Sequence, residues 1–188
     1  MKKKRLFFVV LGVAVVLIIT GIFLSLRGYP VARVNGEFIS GKDLSKVRAM
    51  TIASSEKILK VSGTSTFPID PESREAEAII LDQLIEQSLV HGAWVSAAGR
   101  GGNTLLKTKL SIVKDSERAQ GADFFKTSPK EYQKYVLLPT AEKDLFSGRL
   151  FLLGKTYEEW LAEARKTAEV KIFSDTVRWD GMRVVIAE

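Results

Sequence analysis

The chain has 188 residues, of which 28 are Lys or Arg, 22 are Asp or Glu and none is Cys. Four of the basic residues precede a long apolar run, which leaves 24 basic against 22 acidic residues, a net charge of +2, for the rest. That balance excludes a basic stripe along a phosphate backbone, so we expect no nucleic-acid partner. The absence of Cys excludes disulfides, and packing alone must hold the fold together.

An uncharged apolar run of 21 residues extends from Leu6 to Leu26, directly after the basic residues 2–5. As a helix it would be about 31 Å long, enough to cross a bilayer core. Basic flanks mark the cytoplasmic side, so we predict a single-pass membrane anchor, residues 1–26, and one extracytoplasmic domain, residues 27–188. The alternative is a cleaved signal peptide, which would have a shorter apolar region and an A-x-A-like cleavage site.

The domain begins with VARVNGEFIS, residues 31–40. Asn35 and Gly36 tolerate the positive φ angles of a tight turn, so this motif predicts a β-hairpin. Ser40, followed three residues later by Asp43, resembles a capping box and predicts the start of a helix.

The middle of the domain is predicted to be helical. Asp70-Pro71 predicts a helix start, and an apolar face at a spacing of three and four continues it to about Ala98, with Gly99 as the C-terminal cap. That face comprises Ala76, Ile80, Leu81, Leu84, Ile85, Leu89 and Ala93. GRGGNT then predicts a flexible break, followed by a helix over residues 104–120.

Three further helices are expected after this break. In TSPKEY, Ser128 is the predicted N-cap and Glu131 closes a capping box. Pro139 is expected to interrupt or kink this helix. Helices from about 140 to 153 and from 157 to 168 follow.

The C-terminal end changes to strand character. Val170–Phe173 is rich in β-branched and aromatic residues, and Asp180-Gly181 lies between two alternating runs, which predicts a second hairpin. Because an isolated hairpin is marginally stable in water, we expect Val31–Val34 to pair with a C-terminal strand, foremost Val170–Phe173. The predicted fold is mainly α, closed by a small sheet of N- and C-terminal strands.

Four motifs occur in a familiar order: VARVNGEFISGKDL, AIILDQLIEQSLV, EYQKYVLLPTAEKDLF and WLAEARKTAEVKIF. Over residues 31–173 they resemble the SurA, PrsA and PpiD family of extracytoplasmic chaperones and foldases. The resemblance implies a SurA N-terminal-like domain that binds exported polypeptides. Many members carry an inserted parvulin-type prolyl isomerase domain, for which the segment from Phe146 to Trp160 has no room. We therefore expect no isomerase activity.

Candidate catalytic groups are few. His91 is the sole histidine, and Ser54 and Ser55 lack a visible base. GRGGN lacks the Lys-Ser/Thr of a phosphate-binding loop, and Asp175 and Asp180 flank a predicted turn. The sequence predicts no catalytic, metal or cofactor site.

Aromatic side chains are concentrated in one third of the chain. They are core residues or an exposed apolar cradle for unfolded segments, and sequence alone leaves both interpretations open. The candidate client-binding residues are Phe124, Phe125, Tyr132, Tyr135, Phe146 and Phe151. We expect a membrane-anchored chaperone-like holdase for unfolded or newly exported polypeptides. The alternatives are a docking module for one folded envelope partner and a degenerate prolyl isomerase.

Overall fold

The computed structural model describes residues 28–63 and 69–188. Its elements are β1 (Pro30–Val34), β2 (Glu37–Ser40), α1 (Gly41–Ser62), α2 (Arg74–Ser111), α3 (Asp115–Phe124), α4 (Pro129–Tyr132), a π-helical turn (Gln133–Leu137), α5 (Leu138–Leu152), α6 (Tyr157–Thr167), β3 (Val170–Ile172), β4 (Val177–Trp179) and β5 (Val184–Ile186). The described chain is mainly helical, as predicted, but its strands form two small antiparallel sheets and not the single terminal sheet that the sequence predicted. None of its helices is long and apolar enough to cross a membrane, and the predicted anchor Leu6–Leu26 lies outside the described residues.

The first sheet joins the two ends of the domain. Its strand order is β2-β1-β3, and both pairs are antiparallel. Asn35 and Gly36 form the β1–β2 turn with φ angles of 49° and 92°, a conformation that suits these two residue types. Ala32 lies opposite Ile172 on β3, which confirms the predicted pairing of the N- and C-terminal strands.

The core lies between this sheet, α1 and the first half of α2. Leu81 and Ile85 of α2 are fully buried, and so are Val34 of β1 and Val177 of β4. The β4–β5 hairpin forms the second sheet and packs against α2 through Val177 and Val184. The periodic apolar face predicted for α2 is thus the face on which both sheets rest.

The predicted helix start at Asp70-Pro71 is wrong by a few residues. Helix α2 begins at Arg74, and Ser73 is its N-cap, accepting a 3.1 Å hydrogen bond from the Ala76 amide. The carboxylate of Asp70 instead accepts a hydrogen bond from the Glu72 amide and stabilises a turn. Because an Asp side chain can cap either a helix or a turn, the sequence alone does not determine the first residue of helix α2.

The predicted break after Ala98 is a kink. Gly99 alone leaves helical geometry, with φ 53° and ψ −150°, and helix α2 resumes at once and continues to Ser111. The single helix predicted for residues 104–120 is also wrong. Residues 112–114 separate α2 from α3, because Lys114 is extended as the N-cap residue of α3, and Glu117 accepts a hydrogen bond from its amide.

The segment from Pro129 to Leu152 is continuous but irregular. The N-cap at Ser128 is confirmed, since its hydroxyl accepts a hydrogen bond from the Glu131 amide. Before Pro139 the helix widens into the π-helical turn Gln133–Leu137. A proline lacks the amide that an α-helix requires at this position, and the π-turn accommodates it without ending the helix.

Candidate functional site

An open groove of about 1700 Å³ lies between strand β2 and the helical segment 128–138. The first turn of α1 and the start of α3 complete its walls. Pockets for small molecules occupy about 300–1,000 Å³. The groove is therefore larger than the pockets that usually hold a small molecule.

Strand β2 borders the groove with an open edge, because it is the outermost strand of its sheet. Phe38 lies opposite Arg33, and Ile39 lies opposite Ala32. Successive strand residues point to opposite faces, so Ile39 is buried while Phe38 remains 64% exposed. The wall of the groove thus combines a strand edge with an exposed aromatic ring.

A hydrogen-bonded cluster fixes the opposite wall to α1. Asp43 Oδ1 accepts from Lys134 Nζ at 2.8 Å and from Tyr135 Oη at 2.7 Å, and Asp43 Oδ2 accepts from Ser40 Oγ at 2.6 Å. Burial alone would raise the pKa of Asp43, but the hydrogen bonds from Lys134, Ser40 and Tyr135 outweigh it and lower that pKa. Burial favours a low pKa for Lys134, and its bonds to Asp43 and Tyr135 raise that pKa instead. This pair is therefore ionised across the neutral range and connects α1 to the π-turn.

A second carboxylate in the groove is held in the same way. Glu131 Oε2 lies 2.9 Å from Lys46 Nζ and accepts from Thr127 Oγ1 at 2.8 Å. The contact with Lys46, then the bond from Thr127 and those from Ser128, lower the pKa of Glu131 to about 2. Both carboxylates stay charged and paired at neutral pH, so neither is poised to transfer a proton there.

The residues that Sequence analysis considered as candidate catalytic groups lie outside the groove. His91 Nδ1 is 2.9 Å from Glu142 Oε1 at the contact of α2 with α5, where Glu142 is only 4% exposed. Asp180 Oδ1 accepts from the amides of Met182 and Arg183 and stabilises the β4–β5 turn. In residues 28–63 and 69–188 no three His, Cys, Asp or Glu side chains cluster as metal ligands. The groove itself offers a strand edge and an exposed aromatic ring, beside carboxylates that are paired with lysines of the chain.

The six predicted client-binding residues fall into separate groups. Tyr135 lines the groove. Phe125 stacks on Tyr132 with ring centroids 5.7 Å apart and meets Phe124 edge-on at 5.2 Å. Lys57 of α1 lies over the Phe124 ring, so this half-buried cluster packs α3 and α4 against α1. These three rings have a packing role beside the groove.

The two remaining predicted residues differ completely in exposure. Phe146 is 5% exposed and packs edge-to-face on Trp160, with ring centroids 4.6 Å apart. It is a core residue and is not available to a client. Phe151, one and a half turns further along α5, is 80% exposed.

Phe151 is part of an apolar tip, which we define as Phe151, Leu152 and Leu153 at the end of α5. All three side chains are exposed, Leu152 to 84%. Arg149 and Lys155 flank the tip, and both are exposed. Adjacent exposed apolar residues of this kind mark surfaces that contact another molecule.

Phe38 is an exposed aromatic residue of the groove that the sequence prediction omitted. In GEFIS it alternates with Ile39, and the period of two places one of the two side chains on the outer face. The alternation was therefore a usable signal for an exposed aromatic ring on an edge strand.

No protein-family model matches the chain, and neither a curated protein nor a solved structure does.

Proposed function

We propose that the protein is a membrane-anchored, extracytoplasmic chaperone-like module that binds unfolded or newly exported polypeptides in the groove, without prolyl isomerase activity. The observation that carries the proposal is the groove of about 1700 Å³ along the open edge of β2. An extended polypeptide is the ligand that a strand edge with an exposed aromatic ring suits best.

The position of the anchor supports the same function. The apolar run ends at Leu26, and Gly28 lines the groove. An anchored groove would lie close to the outer surface of the membrane, where exported chains emerge. Anchoring raises the effective concentration of the groove at that surface without any additional contact.

The family resemblance provides a further argument. The SurA-like order of motifs spans residues 31–173, and the β1–β3 pairing is the contact that this resemblance implies. In place of a parvulin domain, a short connection of residues 153–156 joins α5 to α6.

The decisive experiment measures aggregation of unfolded proteins in the presence of the full chain, reconstituted in lipid nanodiscs. We expect it to suppress aggregation of two unrelated probes, reduced insulin and thermally unfolded citrate synthase. Phe38→Ser should weaken suppression. Ile79→Ser is the matched control, since Ile79 is 54% exposed but lies on α2 outside the groove. If the chain suppressed aggregation of neither probe, the holdase function would be excluded.

Topology is tested separately with a reporter fused after Glu188. We expect activity only outside the cytoplasm and retention of the protein in the membrane fraction. An active cytoplasmic reporter would exclude the proposed orientation. A shortened soluble species would instead indicate a cleaved signal peptide.

The apolar tip favours a second candidate function, that of a docking module for one folded envelope partner. Breadth of binding separates the two candidates, because a holdase acts on unrelated unfolded chains and a docking module does not. In a docking module Phe151→Ser would abolish binding, whereas Phe38→Ser would have no effect. A null result in a prolyl isomerisation assay would exclude the degenerate isomerase.

A further inference from the structure

We infer that the groove binds its client as an added β-strand, hydrogen-bonded to the backbone of Phe38 on the open edge of β2. The inference rests on the proposed function and specifies its ligand: an extended segment that is recognised mainly through its backbone. The carrying observations are the hydrogen-bond directions in the first sheet and the position of the groove beside it.

The hydrogen bonds of β1 are divided between its two neighbours. The Asn35 amide donates to the Glu169 carbonyl at 2.9 Å, and the Phe173 amide donates to the Val31 carbonyl at 2.8 Å. The odd-numbered residues of β1 therefore face β3. Because the direction alternates along a strand, the even-numbered residues face β2.

This alternation fixes which groups of β2 remain open. Glu37 and Ile39 lie opposite even-numbered residues of β1 and form the ladder with it. The amide and the carbonyl of Phe38 consequently point away from β1, and no described backbone group pairs with them. One donor and one acceptor on a strand edge match the backbone of an antiparallel partner strand.

The sheet has a second edge, which provides a comparison. On β3 the alternation turns the backbone of Ile172 outward, on the side away from β1. That edge is not part of the groove, whereas Glu37, Phe38 and Ser40 of β2 line it. A client in the groove therefore meets the edge of β2.

The chain that leads into the structure indicates which polypeptide this is. Gly28 and Pro30 line the groove, and the proposed anchor ends at Leu26. Two residues span at most about 7 Å, so the anchor would hold the open edge beside the membrane surface. The occupant to which this points is an exported chain, still extended after it has crossed the bilayer.

The charges of the groove agree with a ligand of varied sequence. Four acidic and four basic side chains line it, so their formal charges cancel. Two of the carboxylates, Asp43 and Glu131, are paired with lysines of the protein itself. A groove of this kind gives no strong preference for acidic or basic clients, and backbone pairing is tolerant of sequence.

Two variants of Phe38 separate its backbone from its ring. Phe38→Ala removes the ring and keeps the amide, whereas Phe38→Pro removes both. Proline is tolerated on an edge strand where the amide faces outward, and the preceding residue is already extended.

The probe for the two Phe38 variants is a short, soluble, fluorescent peptide of alternating valine and threonine, bound to the full chain in nanodiscs. We expect Phe38→Pro to bind it roughly tenfold more weakly than Phe38→Ala does. Equal affinities of the two variants would overturn strand addition.

Amide hydrogen exchange of the wild-type chain provides a second measurement that does not depend on the folding of Phe38→Pro. The peptide should slow exchange at Phe38 by about tenfold or more and leave Ile172 unchanged, since a new hydrogen bond protects only the edge that it covers. Peptide binding with unchanged exchange at Phe38, or with protection at Ile172, would overturn the inference and leave the holdase function intact. Absence of peptide binding together with absence of aggregation suppression would overturn both.

Discussion

Arg165 and Asp82 form a two-pronged ion pair, in which Nη1 lies 2.9 Å from Oδ1 and Nη2 lies 2.9 Å from Oδ2. The same guanidinium donates to the Met182 carbonyl at 2.8 Å, and Asp82 Oδ1 also accepts from the Val184 amide at 3.0 Å. One pair thus connects α2, α6 and the β4–β5 hairpin. Paired, parallel hydrogen bonds of this type are strong and geometrically specific.

Replacement of Asp82 should therefore destabilise the domain. The replacement removes the two-pronged acceptor of the largely buried Arg165, which keeps only Glu86 and the Met182 carbonyl, and it leaves the Val184 amide without its acceptor. We therefore expect Asp82→Ala to lower the free energy of unfolding by about 2–3 kcal/mol. Asp144→Ala is the control, since its pair with Lys109 is exposed and worth less than about 1 kcal/mol. Urea unfolding measures both. Equal losses would show that the Arg165 pair has no special role.

Two phenylalanines of α5 should respond in opposite ways to truncation. Phe146→Ala leaves a cavity beside Trp160 and should cost about 3–5 kcal/mol of stability. Phe151→Ala should change stability by less than about 0.5 kcal/mol, because the side chain is exposed. Thermal melting of the two variants tests this difference. A large loss for Phe151→Ala would mean that the apolar tip is packed against part of the chain.

The β1–β3 pairing is testable at Lys171, whose side chain is exposed and whose backbone pairs with Arg33. Lys171→Pro removes an amide from the ladder and should destabilise the domain by about 1–3 kcal/mol, whereas Lys171→Ala keeps the amide and should be neutral. Hydrogen exchange at the Arg33 and Asn35 amides should accelerate in the proline variant alone. Unchanged protection at both amides would contradict the pairing of the two ends of the domain.

Glu131 should make the stability of the folded domain depend on pH in the acidic range. Its pKa lies at about 2 in the folded chain against 4.5 as the ordinary value, so folding favours the ionised form. That stabilisation is complete above pH 4.5 and is lost as the pH falls towards about 2. The melting temperatures of wild type and Glu131→Gln should therefore differ at neutral pH and converge on acidification.

Lys46→Gln is the companion variant in the acid titration. It removes the cation that contributes most to the low pKa of Glu131, so it should narrow the pH range over which the stabilisation by Glu131 is lost. If the difference between wild type and Glu131→Gln were constant from pH 2 to pH 7, the carboxylate would not be held as described.

The sequence predicted those features that depend on local residue type. Asn35-Gly36 specified its turn, Ser40 and Ser128 specified helix starts, and the need to pair isolated strands brought β1 to β3. In each case the local preference and the packed structure agree. Because local residue preference and tertiary packing agree there, such elements can be predicted from one sequence.

The features that the sequence did not predict are decided by tertiary packing. Gly99 has the left-handed φ expected of a helix end, but the helix resumes, and buried Gly102 lies against Trp94 and Ala98. The burial of Phe146 and the exposure of Phe151 depend on the position of α6, which periodicity on α5 alone does not give. The groove also depends on how distant segments approach, so only its alternating strand could have been recognised.

The contact between Asn35 and Glu169 joins residues 134 positions apart in the chain. At a synthesis rate of roughly 5–20 residues per second, the second partner appears about 7–27 s after the first. During that interval the central strand of the first sheet has only its hairpin neighbour. The central strand β1 therefore acquires its second neighbour only after almost the whole chain has been made, so the first sheet cannot be completed in the order of synthesis.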